Sequence, residues 1–288
     1  MSIDSAPTAP APATPGPDPG RNRIWWLVAI AGWAVLLLVL AYVSVGRAAP
    51  TVREQRSLAE AVPVVHRALA DLVTAAGPDA VVKLSTAVVD EGCRISPLRS
   101  GATLQQSITF HTAETDGPVL LDQIAQRLPA GYRAQARHSD DGKVHTLRAD
   151  AGEFVGIKGG VSEPGVLTLT ASTGCRPASP GIGGDPEAGS PVDEEPARVL
   201  AALGATAAEP VRRTFAACPG GGGAIHTVQT LGRGTVPQPL GDALRPLAST
   251  DPVVIVDEPD RYAYRDGPLN VVVQTGDGEI RVAVTRAC

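Results

Sequence analysis

A run of 22 residues without a charge, from Ile24 to Val45, constrains this chain more than any other feature. As a helix rising 1.5 Å per residue it would be about 33 Å long, which matches a hydrocarbon core of about 30 Å. Trp25, Trp26 and Tyr42 lie toward its ends, where aromatic rings prefer the headgroup level. Residues 24–45 are therefore predicted to form a single transmembrane helix in contact with the lipid bilayer.

A cleaved signal peptide is the alternative for this segment, because Arg21 and Arg23 precede it and small residues flank Arg47. An h-region normally has about 7–15 apolar residues, so an uncleaved signal anchor is favoured. Two arginines precede the helix and three follow it, so the charge bias does not decide the orientation and leans slightly against a cytoplasmic N-terminus. All four cysteines follow the helix, without C-x-x-C or zinc-ligand spacing, and paired disulfides imply an oxidising compartment. We therefore expect a plasma-membrane protein with a cytoplasmic N-terminus and its C-terminal domains outside.

The segments that flank the helix are simple in composition. Residues 1–23 are rich in Pro and Ala and are predicted to be a disordered cytoplasmic leader, and residues 46–63 form a juxtamembrane segment. The net charge of −5 is spread without basic clusters, so no nucleic-acid partner is expected. Aromatic residues make up only 3% of the chain, so its cores must be built from Val, Leu, Ile and Ala.

The rest of the chain contains one pattern twice, over residues 64–176 and 196–288. Each copy shows a helix, a strand that runs into a cysteine, a second strand, a short amphipathic helix and about three strands that end in another cysteine. The predicted fold is two tandem α+β domains of order αββαβββ, each a mostly antiparallel sheet with two helices. Residues 177–195, rich in Pro, Gly and acid, are predicted to be a flexible linker that separates the two cores.

The duplication also selects a disulfide pattern among the three that four cysteines permit. If each copy is self-contained, the cysteine that ends its first strand bonds the one that ends its last strand. This predicts structural bonds from Cys93 to Cys175 and from Cys218 to Cys288.

Motifs for catalysis are absent from the sequence. No G-x-S-x-G, S-x-x-K, H-E-x-x-H or phosphate-binding G-x-x-x-x-G-K-[ST] segment occurs, so no catalytic, cofactor-binding or metal-binding residue is assigned and no cofactor is expected. His111 and His226 fall in equivalent second strands and are interpreted as ordinary strand residues. We expect a non-enzymatic binding or assembly module of the bacterial cell envelope, with an envelope protein or a cell-wall component as its partner. An envelope hydrolase with an unrecognised site is the alternative.

One segment is predicted to contact that partner. Arg261, Tyr262, Tyr264 and Arg265 alternate around Ala263, so that both rings lie on one face of a strand. Tyr and Arg are enriched at binding hot spots, which makes this face the expected contact surface.

Overall fold

The computed structural model describes residues 19–47, 56–182, 189–190, 192–219, 223–249 and 251–288. Residues 1–18 of the predicted leader, 48–55 of the juxtamembrane segment, and 183–188 and 191 of the linker lie outside the described residues. The chain divides into two units, Met1–Thr51 and Val52–Cys288.

The first unit contains helix α1 (Pro19–Arg47), whose central part is apolar on every side. The stretch Trp25–Val43 is long and apolar enough to cross a membrane, and none of its side chains is buried within the described part of the chain. A helix that is apolar all round and exposed to water is unfavourable, whereas a bilayer solvates it well. Helix α1 therefore meets the length and composition requirements of a membrane span or signal anchor.

The second unit contains two halves with the same order of elements. The first half consists of α2 (Leu58–Ala76), β1 (Val81–Leu84), β2 (Val88–Ser96), β3 (Arg99–His111), α3 (Gly117–Arg127), β4 (Gln135–His138), β5 (His145–Asp150), β6 (Val155–Glu163) and β7 (Val166–Thr173). The second half consists of α4 (Glu195–Ala202), β8 (Thr206–Ala207), β9 (Arg212–Ala217), β10 (Ala224–Arg233), α5 (Leu240–Leu244), β11 (Val253–Asp257), β12 (Arg261–Asp266), β13 (Leu269–Gly276) and β14 (Glu279–Arg286).

Each half folds into one antiparallel sheet of seven strands. The first sheet has the order β4-β5-β6-β7-β3-β1, with β2 also paired to β3. The second has the order β11-β12-β13-β14-β10-β8, with β9 also paired to β10. Adding seven to every strand number of the first sheet produces the order of the second, so the two halves share one topology.

The predicted α+β class and antiparallel sheets are confirmed, but the predicted order αββαβββ is wrong. Each half has three strands between its helices and four after them. The sequence predicts one strand that runs into Cys93, whereas the structure has the short strand β1 and the longer strand β2, which both pair with β3. The other additional strand before a helix, β8, is only two residues long and leaves no periodic pattern to detect.

Helix α2 begins six residues before the predicted start of the first copy at residue 64. Ser57 and Glu60 form a capping box at its N-terminus, in which the backbone N–H of Ser57 donates to the Glu60 carboxylate at 2.7 Å. Pro63 lies inside α2, beyond the first turn, so the helix lacks one i→i−4 backbone hydrogen bond at this position. The sequence prediction began the helix after this proline and so missed the cap.

Helices cover one face of each sheet. Residues Val82 and Leu84 of β1 alternate into the first core, beneath α2 and α3. In the second half, Val271 and Val273 of β13 face the core under α4 and α5. Alternation along the strands leaves Val272 and Gln274 on the opposite face of the second sheet.

That opposite face contacts the first half directly. Val81 packs against Val256, Ala263 and Val272 in a separate apolar cluster. The core of the first half also includes Ala216, Cys218 and Ile225 of the second half. Because one core contains residues of both copies, the expectation that the linker keeps the two cores apart is corrected.

Candidate functional site

A groove of about 370 Å³ lies where strand β1 meets the open face of the second sheet. Alternation places Val272, Gln274, Arg281 and Ala283 on this face, away from the core of the second half. Strand β1 supplies Lys83 from the first half. The groove is lined by Lys83, Glu209, Pro210, Arg212, Gln229, Thr230, Leu231, Val272, Gln274, Glu279, Arg281, Val282 and Ala283.

Lys83 is the residue of the groove with the most unusual environment. Its neighbours Val82 and Leu84 turn into the first core, so Lys83 points the other way, into the groove. Burial, and then the positive charge of Arg281, lower the pKa of the Lys83 ammonium group from its ordinary value. Among the residues that the structure describes, no carboxylate forms an ion pair with it.

The two arginines of the groove have partners, unlike Lys83. Arg212 lies 3.6 Å from a carboxylate oxygen of Glu209, and Arg281 lies 3.0 Å from one of Glu279. Each of these two ion pairs has no net charge, so the charge of Lys83 gives the groove a net positive charge. The groove can therefore accept an anionic group. Hydrogen bonds to that group would replace the hydration that the ammonium group loses on burial.

The groove continues into a second hollow of about 620 Å³ that shares Gln274, Glu279 and Arg281 with it. Most charged residues of this hollow are acidic: Glu114 and Glu163 from the first half, and Glu258, Asp260, Asp277 and Glu279 from the second. The surface between the halves thus has a cationic end at Lys83 and an acidic end beyond Arg281. Such polarity favours a ligand that carries both signs of charge.

His111 is completely buried beside this surface, at the end of strand β3. Burial first, and then the nearby charges of Lys83 and Arg261, lower the pKa of His111 to about 3. Its two ring nitrogens have no hydrogen-bond partner within the described part of the chain. His111 is therefore neutral at physiological pH and adds no charge to the groove. His226, which occupies the corresponding strand β10, is only half-buried.

The predicted contact face at Tyr262 and Tyr264 is not exposed. The rings do lie on one side of β12, with centroids 5.8 Å apart, but their relative exposures are only 7% and 4%. They pack with Leu240 and Leu244 of α5 in the second core. Burial, followed by the nearby carboxylate of Asp266, raises the pKa of Tyr264 to about 12. Both rings are therefore largely buried in the core of the second half and only line a small hollow of about 190 Å³, so the expectation of an exposed ring face is corrected, whereas contact with a partner protein stays a prediction.

Arg261 and Arg265, on the other side of β12, contact the first half of the chain. Arg261 donates to the carbonyl of Pro164 at 3.1 Å and pairs with Glu258. Arg265 donates to the carbonyl of Gly77 at 3.1 Å. Both predicted contact arginines thus make interactions within the chain.

Both disulfides have the pairing that the duplication predicts. Cys93 bonds Cys175 and Cys218 bonds Cys288, each with 5.9 Å between the Cα atoms. The first bond joins β2 to the segment after β7, and the second ties the last residue of the chain to the end of β9. All four cysteines are therefore structural, and none is free.

No family model matches this chain, and no curated protein matches its sequence. Over the residues that the structure describes, no group of three or more His, Cys, Asp or Glu side chains is placed to hold a metal ion. The groove beside Lys83 is therefore the feature of the described residues that bears most directly on function.

Sequence reasoning missed Lys83 and the groove around it. The chain contains only three lysines, and Lys83 interrupts an otherwise apolar strand, Val81–Leu84. A charged residue within a short buried strand was an available signal. The residues opposite it, Gln229, Gln274 and Arg281, are more than 140 residues away, and no local pattern relates them to Lys83.

Proposed function

We propose that this protein is a membrane-anchored binding module of the bacterial cell envelope, which holds an anionic group of its partner in the groove beside Lys83. The observation that carries the proposal is a half-buried ammonium group without a carboxylate partner among the described residues, at the junction of two sheets. Burying such a charge costs folding free energy, and functional sites are places where proteins commonly carry a stability cost.

The neighbouring side chains suit recognition better than hydrolysis. Gln229 and Gln274 offer amide donors and acceptors, while Val272 and Ala283 form an apolar floor. A few polar groups on an apolar surface are typical of a binding site. A partner segment that carries a carboxylate or phosphate next to a basic group would complement both the cationic and the acidic ends of the surface.

We infer that helix α1 spans the plasma membrane with its N-terminus in the cytoplasm. The length of the apolar stretch Trp25–Val43 and the two disulfides that follow it support this orientation. Reporter fusions after Pro50 and at Cys288 test it. Activity at both positions of a reporter that works only outside the cytoplasm is expected, and activity of a cytoplasmic reporter there would contradict it.

We also propose that the two halves arose by tandem duplication. Their shared strand order and the matched disulfides support this history. The groove has no equivalent within either half, because Lys83 comes from one copy and Arg281 from the other. In this account, duplication created a binding surface at the new junction while both copies kept their scaffold.

Photo-crosslinking in intact cells tests the binding function. A photoreactive residue at position 274, in the groove, should give a discrete adduct, whereas one at the exposed position 158 on the first sheet should not. The adduct at position 274 should disappear when Lys83→Gln removes the positive charge. An adduct that persists in this variant would contradict the proposed role of Lys83.

A further inference from the structure

Two histidines face each other across the hairpin formed by β4 and β5. His138 and His145 are directly paired in the strand register, and their ring centroids are 4.9 Å apart. The Nδ1 atoms of the two rings approach to 2.6 Å. The pair lies outside the groove described above, at the opposite edge of the first sheet from β1.

Helix α3 supplies a carboxylate to one of these rings. An oxygen of Asp122 lies 2.9 Å from Nε2 of His138. When His138 donates the Nε2 proton to Asp122, its Nδ1 carries a lone pair that points toward His145. A carboxylate on the far nitrogen is the arrangement that fixes the tautomer and orientation of metal-binding histidines in many proteins.

We propose that His138 and His145 bind a divalent transition-metal ion of the class that prefers imidazole ligands, with Asp122 as the outer carboxylate. Metal–nitrogen bonds of about 2.0–2.1 Å place two adjacent nitrogen ligands about 3 Å apart. The observed separation of 2.6 Å therefore has to increase by less than about 1 Å. This adjustment is available at an exposed hairpin without any change in the core.

The surroundings allow an ion to enter. The His138 and Asp122 side chains are 37% and 45% exposed. Since no third ligand of the His, Cys, Asp or Glu type is placed nearby among the described residues, the ion would keep water molecules at its remaining positions. Cu²⁺ binds nitrogen sites most strongly among the common divalent ions, so it is the most sensitive probe.

The sequence alone did not reveal this site. His138 and His145 are seven positions apart, a spacing that on a helix would separate them by two turns, about 10 Å, too far to share one ion. They face each other because the turn Ser139–Val144 closes a hairpin, in which the Ser139 backbone N–H donates to the Val144 carbonyl at 2.8 Å. Asp122 is brought to the pair by the packing of α3, which sequence spacing does not show.

The test is a titration of the full-length, tag-free protein in detergent with Cu²⁺ alone, after treatment with a chelator. Electron paramagnetic resonance of the wild type should show one equivalent of Cu²⁺ with hyperfine coupling from two imidazole nitrogens. The variants His138→Ala and His145→Ala should each lose this signal. Asp122→Asn should weaken binding about 10- to 100-fold, the usual effect of losing an outer-sphere carboxylate.

His226→Ala is the matched control, because His226 is also a half-buried strand histidine but belongs to the other sheet. It should leave the copper signal unchanged. Binding that survives in His145→Ala, or a wild-type spectrum without two imidazole nitrogens, would overturn the site and leave a hydrogen-bonded histidine pair. The wild-type spectrum decides the question even if a variant fails to fold.

Discussion

Asn270 pairs with the edge strand β1 of the first sheet: its side-chain oxygen accepts a hydrogen bond of 3.1 Å from the backbone N–H of Val82. Thr227 does the same for the N–H of Leu84 at 3.1 Å. Both acceptors belong to the second half, and both bonds are buried. An edge strand that would otherwise expose unpaired N–H groups is thus completed by side chains of the other sheet.

The substitution Asn270→Leu should therefore destabilise the whole unit from Val52 to Cys288. It leaves the buried N–H of Val82 without an acceptor, at a cost of about 1–3 kcal/mol. Chemical denaturation followed by circular dichroism should show one transition at lower denaturant concentration. The control Gln229→Leu changes a half-buried residue on the same face of the sheet and leaves the hydrogen bond from Val82 to Asn270 in place. An effect equal to that of the control would contradict the role of Asn270.

Loss of the last disulfide should affect both halves. The bond from Cys218 to Cys288 closes a loop of 70 residues, for which chain entropy predicts about 4 kcal/mol of stabilisation. Because Cys218 belongs to the core of the first half, Cys288→Ser should make both halves sensitive to limited proteolysis together. An intact, protease-resistant first half would show instead that the two halves unfold independently.

Acid should destabilise the fold through His111. Its pKa of about 3 is below the ordinary value of about 6.5, so the unfolded chain binds the extra proton between these two values. The free energy of unfolding is therefore unaffected by His111 well above pH 6.5. Below that pH it decreases by about 1.4 kcal/mol per pH unit, because only the unfolded chain takes up the proton. Between pH 7 and pH 5, the wild type should lose about 2 kcal/mol more than His111→Leu. Equal losses in denaturation experiments would contradict this role.

Lys83 should oppose stability while supporting binding. Since burial lowers its pKa, the folded protein disfavours the charged form that is present at pH 7. Lys83→Met should therefore raise the stability at pH 7, on the order of 1 kcal/mol. The wild type should approach the variant as the pH rises toward the ordinary lysine pKa of about 10.4, where the charge is lost. Thermal melting that shows the variant to be less stable at pH 7 would count against a desolvated, functional lysine.

The features that the sequence predicted are those with a local pattern. An uncharged run from Ile24 to Val45 predicts a helix of the right length, and the matched cysteines predict both disulfides. Alternating strands with intervening helices were sufficient for the α+β class.

The features that sequence reasoning missed depend on long-range packing. Val82 and Asn270 are separated by 188 residues, and nothing near either one indicates the other. Alternation placed Tyr262 and Tyr264 on one face correctly but did not show that helix α5 covers that face. Lys83 was visible as a charge in an apolar strand, yet the groove around it exists only because two sheets meet there.

The groove is tested most directly by nuclear magnetic resonance of the three lysines after reductive methylation with a ¹³C label. Lys83 lines the groove, whereas Lys143 and Lys158 are exposed elsewhere and act as internal controls. Addition of acetate, and separately of inorganic phosphate, at constant ionic strength should shift the Lys83 signal along a saturable curve and leave the other two unchanged. A Lys83 signal that does not move, or three signals that drift together, would contradict the proposal that this groove binds an anionic group.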